Sequence, residues 1–121
     1  MSESKAVTRD AIFSKPPEFK RERVEVPQWG GYVYIKQVSA KDFECWQEWA
    51  MKQENAKNPL SARVKFITDC VCDENGKDLF TEPVDVNVLT EHPNDVIDLL
   101  WNECRRVNGL DAKSREDAEK N

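Results

Sequence analysis

The residues best equipped for chemistry are the four cysteines, Cys45, Cys70, Cys72 and Cys104, and the single histidine, His92. Thiolates and imidazole together can hold zinc, but structural zinc announces itself through paired Cys units two to four residues apart. Cys70 and Cys72 form one short C-x-C with no second pair, which suits small apolar side chains on buried faces better than ligands. His92 precedes a proline and has no activated nucleophile motif beside it, so it reads as a surface loop residue rather than a general base. Gly30-Gly31 lies between two predicted strands, not between a strand and a helix, and so does not cradle phosphate. The acids are scattered over helix faces, where solvation accounts for them. Nothing here points to an enzyme, a cofactor or a metal.

With 121 residues the chain suits one domain with one modest core. A hydrophobic share of 39% beside a charged share of 34% describes a soluble, heavily solvated protein. No apolar run is long enough to span a bilayer, and MSESKAVTRDAIFSK lacks the continuous apolar region of a secretory signal. A cytoplasmic location follows, and with it reduced thiols. The net charge of −5 provides no basic field, and Lys20-Arg21-Glu22-Arg23 is short and interrupted by an acid. Neither nucleic acid nor membrane is an expected partner.

The elements that must position these residues are legible in part. Residues 1–18 read as a flexible N-terminal segment, with one turn capped by Thr8 that rests Ile12 and Phe13 on the body, before Pro16-Pro17 force an extended path. Period-two alternation from Phe19 to Val38 predicts two strands, reversed at Pro27-Gln28-Trp29-Gly30-Gly31. Ser39 caps a helix over 40–57 whose Phe43, Trp46 and Ala50 line one face, flanked by Cys45 and Trp49. Trp46 and Trp49 either fill the core or present a contact surface.

The stretch from Asn58 to Phe80 organises the rest. Asn58 caps and Pro59 starts a helix on which Leu60, Val64, Ile67 and Val71 form a stripe, until Asp73-Glu74-Asn75-Gly76 breaks it. Thr81 is the expected cap of a short helix carrying Val84, Val88 and Leu89. A last helix from Asn94 sets Val96, Leu100, Glu103 and Val107 on one side and stops at Asn108-Gly109. The predicted fold is α+β and mainly helical, an N-terminal β-hairpin packed on three to four helices. A single globular domain occupies 19–110, and 111–121 is a charged C-terminal tail.

Two stretches in order, VEVPQWGGYVYIKQVSAKDFECW and ARVKFITDCVCDENGKDLFT, followed by a short helix and a last helix closing in VNGL, resemble the tail assembly chaperones of long-tailed, siphovirus-type bacteriophages. The likeness covers roughly residues 20–110. It implies a non-enzymatic virion-assembly factor of phage or prophage origin, working in the host bacterial cytoplasm and absent from the mature virion. The implied partners are the tape-measure protein, kept soluble by the chaperone, and the major tail protein, engaged through an extended form made by programmed −1 frameshifting. The C-terminal Glu119-Lys120-Asn121 can be encoded by codons containing a slippery A-AAA-AAC heptamer. Trp29, Tyr32, Tyr34, Trp46 and Trp49 are the expected partner-binding residues, suited to receive an amphipathic helix. The open edge of the hairpin could also make a homo-oligomer. Competing readings are a structural virion component, either a head–tail connector or a tail-tube protein, and a small acidic regulatory binding protein.

Overall fold

The alternation between Arg21 and Lys36 is realised as an antiparallel hairpin in the computed structural model, which describes residues 4–52 and 56–111. Strand β1 (Arg21–Val26) pairs with β2 (Gly31–Lys36), setting Arg23 opposite Tyr34 and Val24 opposite Val33. Val24, Val26 and Ile35 turn into the core, while Arg21, Arg23, Glu25 and Tyr32 turn outward. A 3-10 turn over Pro27–Trp29 joins the strands, and Gly30 closes it at φ +73°, a left-handed value open to glycine without steric cost.

Helix starts fall where capping chemistry places them. Thr8 accepts the Ala11 N–H at the head of α1 (Arg9–Phe13), Ser39 that of Asp42 ahead of α2 (Ala40–Met51), and Asn58 that of Ser61 ahead of α3 (Pro59–Cys70). Helix α2 is shorter than its sequence pattern, because Lys52 leaves the helical range at ψ 143°. Residues 53–55 of the expected helix lie outside the described residues. Ile12 and Phe13 do not rest on the body; they are 57% and 69% exposed. A helix of five residues followed by two prolines has no second apolar turn with which to dock.

Helix α3 packs against α2, α4 (Asp85–Thr90) and α5 (Asn94–Val107), and buries Val64, Phe66, Ile67, Thr68 and Cys70. The chain then runs directly into β3 (Val71–Cys72), which adds to β2 and completes a three-stranded sheet in the order β1-β2-β3. Val71 therefore opposes Ile35 rather than continuing the helical stripe. Two apolar residues following a helix without a break carry no local strand signal, and pairing with a distant partner decides their backbone. The turn at Asp73 forms as expected, its carboxylate accepting the N–H groups of Asn75 and Lys77 and Gly76 standing at φ +82°.

The later helices depart from the pattern in two places. Thr81 caps nothing: α4 starts at Asp85, whose carboxylate accepts the Glu82 N–H and whose own N–H donates to the Glu82 carbonyl. That turn rotates the helix so that Val86 and Leu89 are buried, while Val84 and Val88 stand 56% and 53% exposed. In α5 the buried stripe is Val96, Ile97, Leu100, Cys104 and Val107. Glu103, on that side by spacing, is held at its edge by Arg106 at 2.6 Å, because a carboxylate stays where a cation and water reach it. Asn108 ends the helix and Gly109 follows at φ +69°, the left-handed stop read from Asn-Gly. The architecture is α+β, mainly helical, with the hairpin laid on the helices. Of the charged tail, only Asp111 is among the described residues.

Candidate partner-binding surface

The five expected aromatics go to separate places. Trp46 is half-buried, its ring centroid 4.9 Å from Phe66, 5.6 Å from Phe43 and 6.4 Å from Trp101. Its indole N–H donates to the Ala62 carbonyl at 2.8 Å. Such a cluster, with its one polar atom satisfied, pins α2 onto α3 and α5. Trp49 is half-buried beside a groove of about 610 Å³ that also includes Lys65, Asp69 and Phe80. Lys65 Nζ pairs there with Asp69 Oδ1 at 2.6 Å, and burial pushes the Asp69 carboxyl up against that opposing pull.

Tyr32 and Tyr34 are brought together on the outer face of the hairpin, edge to face at 5.9 Å. The Arg23 guanidinium lies 3.7 Å over the Tyr32 ring, and that of Arg21 lies 6.0 Å over Tyr34. Cations already occupy these rings.

Trp29 reaches a different surface. It lines an open depression of about 370 Å³ with Phe80, Asp85, Val88, Leu89 and His92. The His92 ring stands edge-on to the indole at 5.6 Å and 78°, and its Nδ1 lone pair accepts the indole N–H at 3.3 Å. His92 is thus half-buried and structural, holding the wall of the depression, rather than a free loop side chain. The floor is apolar, and exposed Val84 lies one helical turn before Val88. Leu79, 47% exposed, precedes Phe80.

The surroundings are acidic. Between Lys77 and Arg105 the sequence has no lysine or arginine, yet it carries Asp78, Glu82, Asp85, Glu91, Asp95, Asp98 and Glu103. Asp85 lines the depression itself, and Asp95 accepts from Gln28, the neighbour of Trp29, at 3.2 Å. Asp78, Asp98 and Glu103 pair with Lys36, Arg63 and Arg106, while Asp85 stays in the lining of an apolar hollow that can seat an apolar side chain from a helix carrying lysine or arginine beside it. Sequence reasoning passed over Phe80, Val88 and His92. The signal available was that long interval without a basic residue, coinciding with an i, i+4 valine pair.

The thiols lie elsewhere. Cys70, Cys72 and Cys104 are buried and Cys45 is exposed. A hydrogen bond with Cys70, reinforced by burial, pushes the Cys104 thiol well up, and burial pushes up that of Cys72. Among the described residues, no three His, Cys, Asp or Glu side chains converge in a way that could hold a metal ion.

Residues 7–121 match the family described as phage tail assembly chaperone. Among solved structures, the chain is similar to that of the bacteriophage HK97 tail assembly chaperone, at a TM-score of 0.56 and 26% identity over 74% of this chain and 87% of that one. No protein of curated function matches it.

Proposed function

Since this chain belongs to the phage tail assembly chaperone family, we propose that it binds the tape-measure protein, keeps it soluble and helps recruit the major tail protein during tail assembly. The role is non-enzymatic and is carried out in the host cytoplasm, with the chaperone left out of the mature virion. A longer product made by −1 frameshifting, in this reading, supplies the contact with the major tail protein. Its slippery site would lie at Glu119-Lys120-Asn121, outside the described residues.

The observation that carries the reading is the apolar depression at Trp29, Phe80, Val88 and Leu89, with the Asp85 carboxylate in its lining. A tape-measure protein is a long helical chain, and its amphipathic segments aggregate unless their apolar faces are covered. A hollow of this size takes one anchoring side chain at a time, and the nearby carboxylates select anchors flanked by cations. Tyr32 and Tyr34 on the hairpin, and Trp49 beside its groove, offer secondary contacts. Trp46 contributes by holding α2 in place.

Co-expression with the neighbouring tape-measure gene product tests this. The wild-type chain should move the tape-measure protein into the soluble fraction. Val88→Asp, a change at an exposed position, should leave the melting temperature within about 2 °C while abolishing that effect. A tape-measure protein that stays insoluble beside the wild-type chain, or that remains soluble with Val88→Asp, overturns the proposal.

A further inference from the structure

His92, the single histidine of the chain, stands where the hairpin turn meets the end of α4 and the head of α5. Its N–H donates to the Leu89 carbonyl at 3.0 Å and Pro93 follows it, so the ring is aimed from a fixed backbone. The indole N–H of Trp29 donates to Nδ1 at 3.3 Å, which requires a neutral ring with its proton on Nε2. A second bond, Gln28 Nε2 to Asp95 Oδ2 at 3.2 Å, ties the same turn to α5. That bond ends on a carboxylate. The bond from Trp29 ends on an acceptor of the kind that a proton abolishes near neutral pH.

The other titratable groups near the ring are carboxylates. Among the described residues lining the hollow, the one ionised side chain beside the histidine is Asp85 of α4. Glu91 is the chain neighbour, and Asp95 stands at the head of α5. The turn Pro27–Trp29 and the segment Leu79-Phe80 bring no titratable side chain.

Protonation of His92 changes the hollow in two ways. Nδ1 becomes a donor, so two N–H groups face each other and the indole loses its tether. The imidazolium also sets a positive charge in a lining that otherwise holds the Asp85 carboxylate. Both changes act against the same ligand. An untethered Trp29 leaves the hollow short of a wall, and a cation beside the anchor meets repulsion where it met attraction.

We infer that His92 is the positioning residue of the hollow and that its proton state governs capture. The neutral ring holds Trp29 in place and admits an apolar anchor flanked by lysine or arginine; the imidazolium releases Trp29 and turns such an anchor away. The identity of the ligand rests on the tape-measure reading, whereas the link between His92 and Trp29 rests on the geometry alone.

The test uses the full chain co-purified with tagged tape-measure protein and held on a surface through that tag. The wild-type chain should leave the complex roughly fivefold faster, or more, at about pH 5.5 than at about pH 7.5, as the neutral fraction of His92 falls. His92→Asn keeps an oxygen acceptor for the indole but takes no proton, so it should leave slowly at both. In the free chain, the Trp29 indole N–H resonance, identified by its loss in Trp29→Phe, should shift with the His92 ring protons at one shared midpoint. In His92→Asn it should stay still over that range. A dissociation rate that ignores pH, a pH dependence that His92→Asn keeps in full, or an indole signal indifferent to the His92 titration would each overturn the inference. A chain that captures no tape-measure protein at about pH 7.5 defeats the functional reading and the inference with it. A complex that forms but ignores pH defeats the inference alone.

Discussion

The Oδ1 of Asn108, at the end of the last helix, accepts the backbone N–H of Val38 at 2.9 Å, 70 positions away in sequence. Its Nδ2 donates to the carbonyl oxygens of Cys104, at 2.9 Å, and Lys36, at 3.3 Å. One side-chain amide thus closes a helix and ties that closure to the exit of the hairpin. Asn108→Ala leaves the half-buried Val38 N–H and Lys36 carbonyl without these partners and should cost about 2–4 kcal/mol. A lowered urea midpoint at unchanged slope is the expected result. A loss below about 1 kcal/mol would show that water replaces the amide easily.

Trp46 of α2 and Trp29 of the hairpin turn should separate by stability. Trp46→Ala empties the cluster with Phe43, Phe66 and Trp101 and should cost about 3–5 kcal/mol. Trp46→Phe keeps an aromatic ring but loses the indole hydrogen bond to the Ala62 carbonyl, at about 1 kcal/mol. Trp29→Ala removes one wall of an open depression, so its effect on melting should be smaller than that of Trp46→Ala. Thermal melts of the three variants give the order directly.

Thiol chemistry should report the packing of α3 and α5. In native protein at neutral pH, an aromatic disulfide reagent should react promptly with Cys45 alone, because the other three cysteines are buried. All four should react after unfolding in guanidinium. Prompt reaction of more than one thiol in the native state would contradict the core described here.

The turn after β3 should be sensitive at both ends. Gly76 stands at φ +82°, and a Cβ there would come within 2.7 Å of Arg21 Nη1, so Gly76→Ala should cost about 1–2 kcal/mol even after the arginine moves aside. Equilibrium urea unfolding measures it, and a neutral result would mean the turn has re-formed.

At the other end of that turn, backbone N–H groups of Lys77 and Asn75 hold the Asp73 carboxyl below its ordinary value. A carboxyl lowered on folding adds stability that is fully present above its unfolded value, near pH 4, and is lost as the pH falls through the folded value. Asp73→Asn should therefore be less stable than wild type at neutral pH, and the gap should narrow in acid. Paired melts from pH 7 downward check the sign; a gap that widens in acid would refute it.

Much of this fold was readable before any coordinates. Thr8, Ser39 and Asn58 cap their helices because a short polar side chain before an apolar run has few better uses, and alternation gave the hairpin because its inner face is dry and its outer face wet. What stayed hidden depends on distant partners. Val71 is strand only because Ile35 lies beside it, and Val88 is exposed only because the turn at Glu82–Asp85 sets the phase of α4. His92 looked like a loose loop residue because its partner, Trp29, lies 63 positions earlier. The depression escaped notice for the same reason. Its wall comes from the hairpin turn and its floor from α4, while its acidic setting shows only when charges are counted over an interval rather than along one helix.

The amide of Asn108 also bears on the moment of birth. The inner face of the hairpin is roofed by α5, so the first strands to leave the ribosome cannot bury that face until the residues of α5, about 70 positions later, have been made. A nascent chain stalled short of Asn108 would therefore be left with Ile35 and Phe66 wet and in need of rescue by others.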